Sequence, residues 1–299
     1  MVLSVRALAW IGCLGSVAAC GSGTDEPERL SAFDCLTSDA CAQRLVVAHR
    51  GYHREQPENS LAAIRATAAV GADLVELDVR HTADGALVLM HDSSVQRTTD
   101  GVGEVSELTL AEVQALLLDG GDPGDPESCR VPTFEAALDL ARELGLLIYL
   151  DQKTDRTDLV LSAIQAGEHH RDVLVRDDWA RLAPMLDEDG GLLVMPPITT
   201  LEEFGVIQAA FPGLRIVELA LGGPSLELTE GVHAAGVRVQ QDVLALGDVP
   251  ALVGDYTGWK GFVLAGVDVL QTDNPQWLLP ALRQFEQTGE FPDQGPPAM

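Results

Sequence analysis

The sequence predicts an α/β fold, a parallel (β/α)8 TIM barrel with a small insertion after the second strand. Three observations carry that prediction. Short apolar runs of the length of buried strands alternate with helical segments and make eight β units: Leu45 to His49, Leu74 to Val79, Leu146 to Asp151, Val173 to Val175, Gly191 to Met195, Leu214 to Leu219, Val237 to Gln241 and Val267 to Gln271. No G-x-G-x-x-G follows the first run, and an open doubly wound sheet would carry such a phosphate loop and fewer strands. Early apolar runs also carry or precede ionisable groups: His49 and Arg50, Glu76 and Asp78, His91 and Asp92. Strand C-terminal ends are where an α/β barrel keeps its chemistry.

The N-terminus reads as a targeting segment. Arg6 supplies a positive start, Ala7 to Ala19 is apolar, and Val17-Ala18-Ala19 places small residues before Cys20. This is short for a membrane span, which needs about twenty apolar residues, and it fits a cleaved signal. Residues 1–19 are expected to be a lipoprotein signal peptide, with Cys20 the lipidated first residue of the mature chain. Secretory cleavage without lipid is the alternative. Either places the chain outside the cytoplasm, in the bacterial cell envelope if anchored.

Residues 20–43 are polar and acidic and read as a tether and N-terminal cap, with no packed core expected before Leu45. Cys35 and Cys41 enclose five residues, so a small-loop disulfide is plausible in an oxidising compartment, although Cys129 could bridge to either. The barrel is expected over residues 44–285. After the first strand, Ser60 is a candidate N-cap for a helix that Gly71 stops, and Ala83-Asp84-Gly85 marks a hairpin within Leu74 to His91. Residues 93–132 break the alternation and read as the insertion, with a helix near Thr109 to Leu118 capped by Thr109. A helix over Thr133 to Leu144 precedes the third strand. After Arg283 a frayed helix and then disorder are expected, with residues 286–299 the C-terminal tail.

The sequence of 299 residues carries a net charge of -27 and is 46% hydrophobic. That size suits one large domain. The charge, without a Lys/Arg cluster, argues against nucleic acid as a partner, and a monomer is expected. Any anion site must therefore have its own local cations.

Alternate residues of a strand share a face, so Glu76 and Asp78 point the same way. Two buried carboxylates repel and are costly unless paired or bound to metal. A divalent cation, Ca²⁺ or Mg²⁺, reconciles them and suits oxygen ligands. Bonding to Arg50, Arg80 or backbone amides is the plainer alternative. Asp151-Gln152-Lys153 repeats the i, i+2 arrangement.

His49-Arg50-Gly51, Pro57-Glu58-Asn59-Ser60, Gly71-Ala72-Asp73, Glu76-x-Asp78-Val79, Thr82-x-Asp84-Gly85, His91-Asp92 and Arg97-Thr98-Thr99 occur in this order. In order and spacing they resemble the glycerophosphodiester phosphodiesterase family, closely from about Val46 to Lys153 and more loosely to Pro275. The resemblance implies that His49 and His91 are the acid/base pair and that Glu76, Asp78 and Asp151 bind a divalent metal. Arg50 and Lys153 then meet the phosphate, which needs positive charge. Two departures stand out. Asp151 occupies a position where the family usually has Glu, and Val237 to Asp242 replaces a W-T-V-N segment.

The expected activity is metal-dependent hydrolysis of glycerophosphodiesters to glycerol 3-phosphate and an alcohol. Alternatives are a lipid phosphodiesterase acting on lysophospholipid or sphingomyelin with a cyclic phosphate product, or a non-catalytic glycerophosphodiester-binding lipoprotein. Glu218, inside an apolar run, either reaches the site or forms a structural ion pair. His53 and His81 are expected to be solvated, Trp259 and Phe262 to line the mouth or fill the core, and Thr272-Asp273-Asn274-Pro275 to start a helix.

Overall fold

Alternation along the strands sorts the barrel's residues into an inner and an outer set. The structure, a computed structural model, describes residues 29–220 and 222–295; Cys20 and the signal segment lie outside them. Its strands are β1 (Leu45–Ala48), β2 (Leu74–His81), β3 (Leu87–Leu89), β4 (Leu147–Gln152), β5 (Val173–Arg176), β6 (Leu193–Met195), β7 (Pro197–Ile198), β8 (Ile216–Leu219), β9 (Arg238–Asp242) and β10 (Val269–Thr272). Every strand but β3 pairs in parallel, in the order β6-β5-β4-β2-β1-β10-β9-β8-β7. β6 and β7 are halves of one stave on either side of Pro196, so the sheet closes through the chain itself and has the eight staves of a TIM barrel. β3 folds back antiparallel on β2 through a turn with Gly85 at φ 81°.

The inner residues form the barrel's floor. Leu45, Val47, Leu74, Leu147, Tyr149, Leu174, Leu193, Met195, Ile216 and Val269 make one apolar cluster. The expectation that no core precedes Leu45 is corrected here. Ala32, Cys35 and Leu36 project from the helix Ala32–Thr37 into that same cluster and plug the floor. Their spacing gives a one-sided apolar stripe inside a polar segment. Cys35 and Cys41 are disulfide-bonded, and Cys129 is free and buried.

The outer residues, among them Val46, Val75, Leu77, Ile148, Leu150, Val175, Val217 and Val239, pack under the surrounding helices with Ile64, Phe134 and Leu138. Caps place those helices. Ser60 receives the Ala63 N–H and Thr133 the Ala136 N–H, while Gly71 and Gly145 end their helices in the left-handed region. Losing one such N-cap costs about 1 kcal/mol. Thr109 caps the helix Leu110–Ala115 in a reciprocal pair with Glu112.

Residues 93–132 build a small cluster of their own, Val95, Val105, Val113, Leu118 and Val131, against Val88 and Met90 of the hairpin. At the other end the helix Pro275–Thr288 does not fray at Arg283: it continues to Gly289, Phe291 is buried, and Asp293 pairs with Lys260. Trp259 and Phe262 are core residues, at 0% and 1% exposure.

Candidate active site

Above the apolar floor the inner face turns polar within one residue step. β2 presents Leu74, then Glu76, then Asp78; β4 presents Leu147, Tyr149, then Asp151. The β2–β4 register makes Asp78 and Asp151 direct partners. Oxygens of Glu76, Asp78 and Asp151 all lie within 4.8 Å of one another, and these three could hold a metal ion. Glu76 and Asp78 are 2% and 1% exposed. Burial, with the Asp78 and Asp151 charges beside it, pushes the Glu76 carboxyl well above its usual range. Such an oxygen-only set suits a hard divalent cation, whose charge would relieve that repulsion.

Protein cations already offset part of it. Lys153 Nζ donates to Asp151 at 2.5 Å and stands 3.6 Å from Asp78, and Arg50 Nε lies 3.6 Å from Asp78. Burial pulls the Lys153 ammonium down, but Asp151, Asp78 and Glu76 together hold it above its ordinary value. Arg50 Nε is buried without a hydrogen-bond acceptor among the described residues, so this cation keeps a donor unspent.

The loop after β1 is tied to this centre through its backbone. Arg50 has φ 53°, and its N–H donates to Glu76 at 2.7 Å. A non-glycine residue there costs of order 1 kcal/mol or more. Asn59, at φ 55°, donates from Nδ2 to Asp78 and receives the Asp78 N–H. Gly51 allows the chain to pass Ala63, where a Cβ would come within 2.7 Å of the alanine's own.

Both histidines sit on carboxylates. His49 Nδ1 is 2.8 Å from Asp273, and His91 Nδ1 is 2.7 Å from Asp92. An acceptor at Nδ1 fixes the proton there and leaves Nε2 free to take or give one. Burial would raise the Asp273 carboxyl, but His49, with the charges of His53 and Arg50, holds it low. Hydrogen bonds from Arg97, then His91, keep Asp92 well below the usual carboxylate range. Arg97 also grips Glu58 at 2.7 Å, and Glu58 accepts from Arg50 at 3.1 Å. Arg50, Glu58, Arg97, Asp92 and His91 thus form one continuous chain of contacts from the triad to the second histidine.

Of the residues singled out in the sequence, His49, Arg50, Glu76, Asp78, His91, Asp151 and Lys153 are tied to one another or to shared partners at the C-terminal ends of β1 to β4. Glu218 also faces inward and is paired with Arg176 at 2.6 Å; Arg176 lies 3.7 Å from Asp151. His53 is not merely solvated, since its Nδ1 meets the His49 carbonyl at 2.9 Å. His81 Nδ1 meets Thr154 Oγ1. Asp273, Glu58 and Arg97 are the site residues that local sequence does not mark: Asp273 reads as part of a helix-starting turn, and Glu58 and Arg97 only as members of spaced motifs.

A closed parallel barrel whose mouth sets two histidine–carboxylate pairs and several cations around a carboxylate triad defines a phosphoric diester hydrolase. Residues 49–182 match the model of the glycerophosphoryl diester phosphodiesterase family. The chain is 29% identical over 259 residues to a glycerophosphodiester phosphodiesterase of Caldanaerobacter subterraneus subsp. tengcongensis, covering 80% of this chain and 98% of that one. Of its mammalian relatives it spans between 33% and 40% of the length. The fold is shared with a glycerophosphoryl diester phosphodiesterase of Parabacteroides distasonis, at TM-score 0.69, 23% identity and coverage of 82% and 87%. It is also shared with an Oleispira antarctica phosphodiesterase in complex with the product sn-glycerol-3-phosphate, at TM-score 0.64, 21% identity and coverage of 81% and 97%.

Proposed function

We propose that this chain hydrolyses glycerophosphodiesters to glycerol 3-phosphate and an alcohol, with His49 and His91 as the acid/base pair. The observation that carries this reading is the pairing of each histidine with its own carboxylate, Asp273 and Asp92. Water attacks phosphorus while one histidine Nε2 takes its proton. The bond to the alcohol oxygen breaks, and the other histidine, protonated, gives that oxygen a proton. Arg50, through its unspent Nε donor, and Lys153 hold the non-bridging oxygens. Glu76, Asp78 and Asp151 would hold Ca²⁺ or Mg²⁺, which when bound supplies charge to polarise the phosphoryl group. Asp151 has a shorter side chain than the Glu usual in the family and already faces Lys153, so it is the ligand on which metal choice most depends.

The chain from Cys20 is proposed to be lipid-anchored and extracytoplasmic, on the strength of the small residues preceding that cysteine. The Cys35–Cys41 disulfide supports an oxidising compartment.

Phosphorus NMR of glycerophosphocholine with the chain from Gly21 onward tests the activity, with Ca²⁺ or Mg²⁺ and again with chelator. Metal-dependent glycerol 3-phosphate is the expected result. A diester signal unchanged under every condition would overturn the reading, and a cyclic phosphate appearing first would make the neighbouring glycerol hydroxyl, not water, the attacking group.

A further inference from the structure

β9 stands four staves round the barrel from β4, across the mouth from Asp151. Its inner face carries Gln240 and, one step higher, Asp242, neither of which takes part in the proton transfers or the metal-holding set. Gln240 is 0% exposed and donates from Nε2 to Asp242 Oδ1 at 3.0 Å. A carboxylate can only accept, so this bond fixes the amide's orientation and leaves Gln240 Oε1 as a buried acceptor. That oxygen has no partner among the described residues. On the next stave Gln271 is the direct register partner of Asp242, is 4% exposed, and its Oε1 is likewise unpartnered.

Asp242 is exposed at the rim. Of the inner carboxylates outside the triad, Glu218 has Arg176 and Asp273 has His49, whereas no Lys, Arg or His side-chain nitrogen lies within 4.0 Å of Asp242 among the described residues, and the charges of His49 and Arg176 reach it only from farther off. One wall of the mouth therefore gathers three acceptors, one of them charged, with too few donors to satisfy them. Leaving a buried acceptor unpaired is costly, and a ligand that brings donors removes the cost.

We propose that this wall recognises the alcohol half of the diester and selects a primary ammonium alcohol of the ethanolamine type. The inference rests on the hydrolase reading above and names its preferred substrate. An ammonium offers three N–H donors and a positive charge, which matches two amide oxygens and an unpaired carboxylate. A polyol brings donors without charge, and a quaternary ammonium brings charge without donors.

The test compares kcat/KM for glycerophosphoethanolamine, glycerophosphocholine and glycerophosphoglycerol on the wild type, Asp242→Asn and Asp242→Glu. The ethanolamine diester should be preferred. Asp242→Asn should lower the ratio of ethanolamine to glycerol kcat/KM roughly tenfold, mostly through KM, as expected for losing one charge-assisted contact at an exposed rim. Asp242→Glu should keep most of the ratio. Equal losses on all three diesters, or an unaltered ratio, would overturn the proposal. If the wild type cleaves none of them, the hydrolase reading fails, and calorimetric binding then decides the wall: tighter binding of the ethanolamine diester, lost in Asp242→Asn, sustains it, and equal or absent binding sinks it.

Discussion

Asp273 and His49 are 224 positions apart in the chain, and their side chains meet at 2.8 Å. The contact follows from the register that closes the barrel: β1 and β10 pair Ala48 with Thr272, so the next residue of each strand stands side by side at the mouth. In the proposed mechanism Asp273 positions His49. Asp273→Ala should lower kcat about a hundredfold, the lower end of what acid/base catalysis contributes, with KM within a few-fold of wild type. Steady-state kinetics on glycerophosphocholine check this, and an equal effect on KM would contradict the positioning role.

Glu58 is the strut between two arginines. Arg50 reaches it from the Asp78 side and Arg97 from the Asp92 side. Burial would raise its carboxyl, yet the two guanidiniums hold it below the ordinary value. Glu58→Gln should raise KM roughly tenfold by loosening Arg50, with a smaller fall in kcat transmitted through Arg97 and Asp92. Unchanged KM would show that Arg50 is held well enough by its backbone and Asp78.

Metal binding should register as stability as well as turnover. The triad's mutual repulsion is relieved only in the folded chain, so a divalent ion at about 100 times its Kd should stabilise by about 2.7 kcal/mol. For a chain of this size that is a rise in Tm of roughly 4 to 5 °C. Scanning calorimetry with Ca²⁺, Mg²⁺ or chelator measures it. Asp78→Asn should abolish the increment; a rise that persists in that variant would place the metal elsewhere.

Asp248 gives a prediction about pH. Its carboxylate lies under the mouth and accepts from Trp259, Thr272 and the Asp273 N–H, but burial outweighs these and pushes its pKa up to about 6. A folded value above the unfolded one means the folded chain binds the proton more tightly. The stabilisation is fully present below about pH 4 and is lost as pH rises through 6, a change of roughly 3 kcal/mol for about two units. Denaturation of wild type and Asp248→Asn should show the difference moving in favour of the variant between pH 4 and pH 7. Parallel curves would mean Asp248 ionises normally.

What was legible in the sequence was what depends on nearby residues. Glu76 and Asp78 share a face because strand periodicity is local, and Thr133, Ser60 and Gly71 mark helix ends for the same reason. The partner of His49 was not legible, because strand register across the seam decides it. Nor was the pairing of Glu218 with Arg176, which spans 42 positions. The floor plug was missed because its stripe of Ala32, Cys35 and Leu36 is diluted by acidic neighbours in a segment whose average composition is that of a tether. The docked tail was missed similarly, since one aromatic residue, Phe291, anchors a stretch otherwise rich in Pro and Gly.

The plug has a bearing on how the molecule would stand at a membrane. It occupies the end of the barrel opposite the chemistry, and Arg29 at its edge is bound to Asp73 on that same side. Eight residues separate Cys20 from Arg29, a reach of at most about 32 Å over the nine steps between them against a body roughly 45 Å across. Held by a lipid at Cys20, the enzyme would rest with its base toward the bilayer and its opening toward the water. In that pose it would collect small soluble diesters arriving from the medium, and an intact lipid lying in the supporting leaflet would be out of its reach.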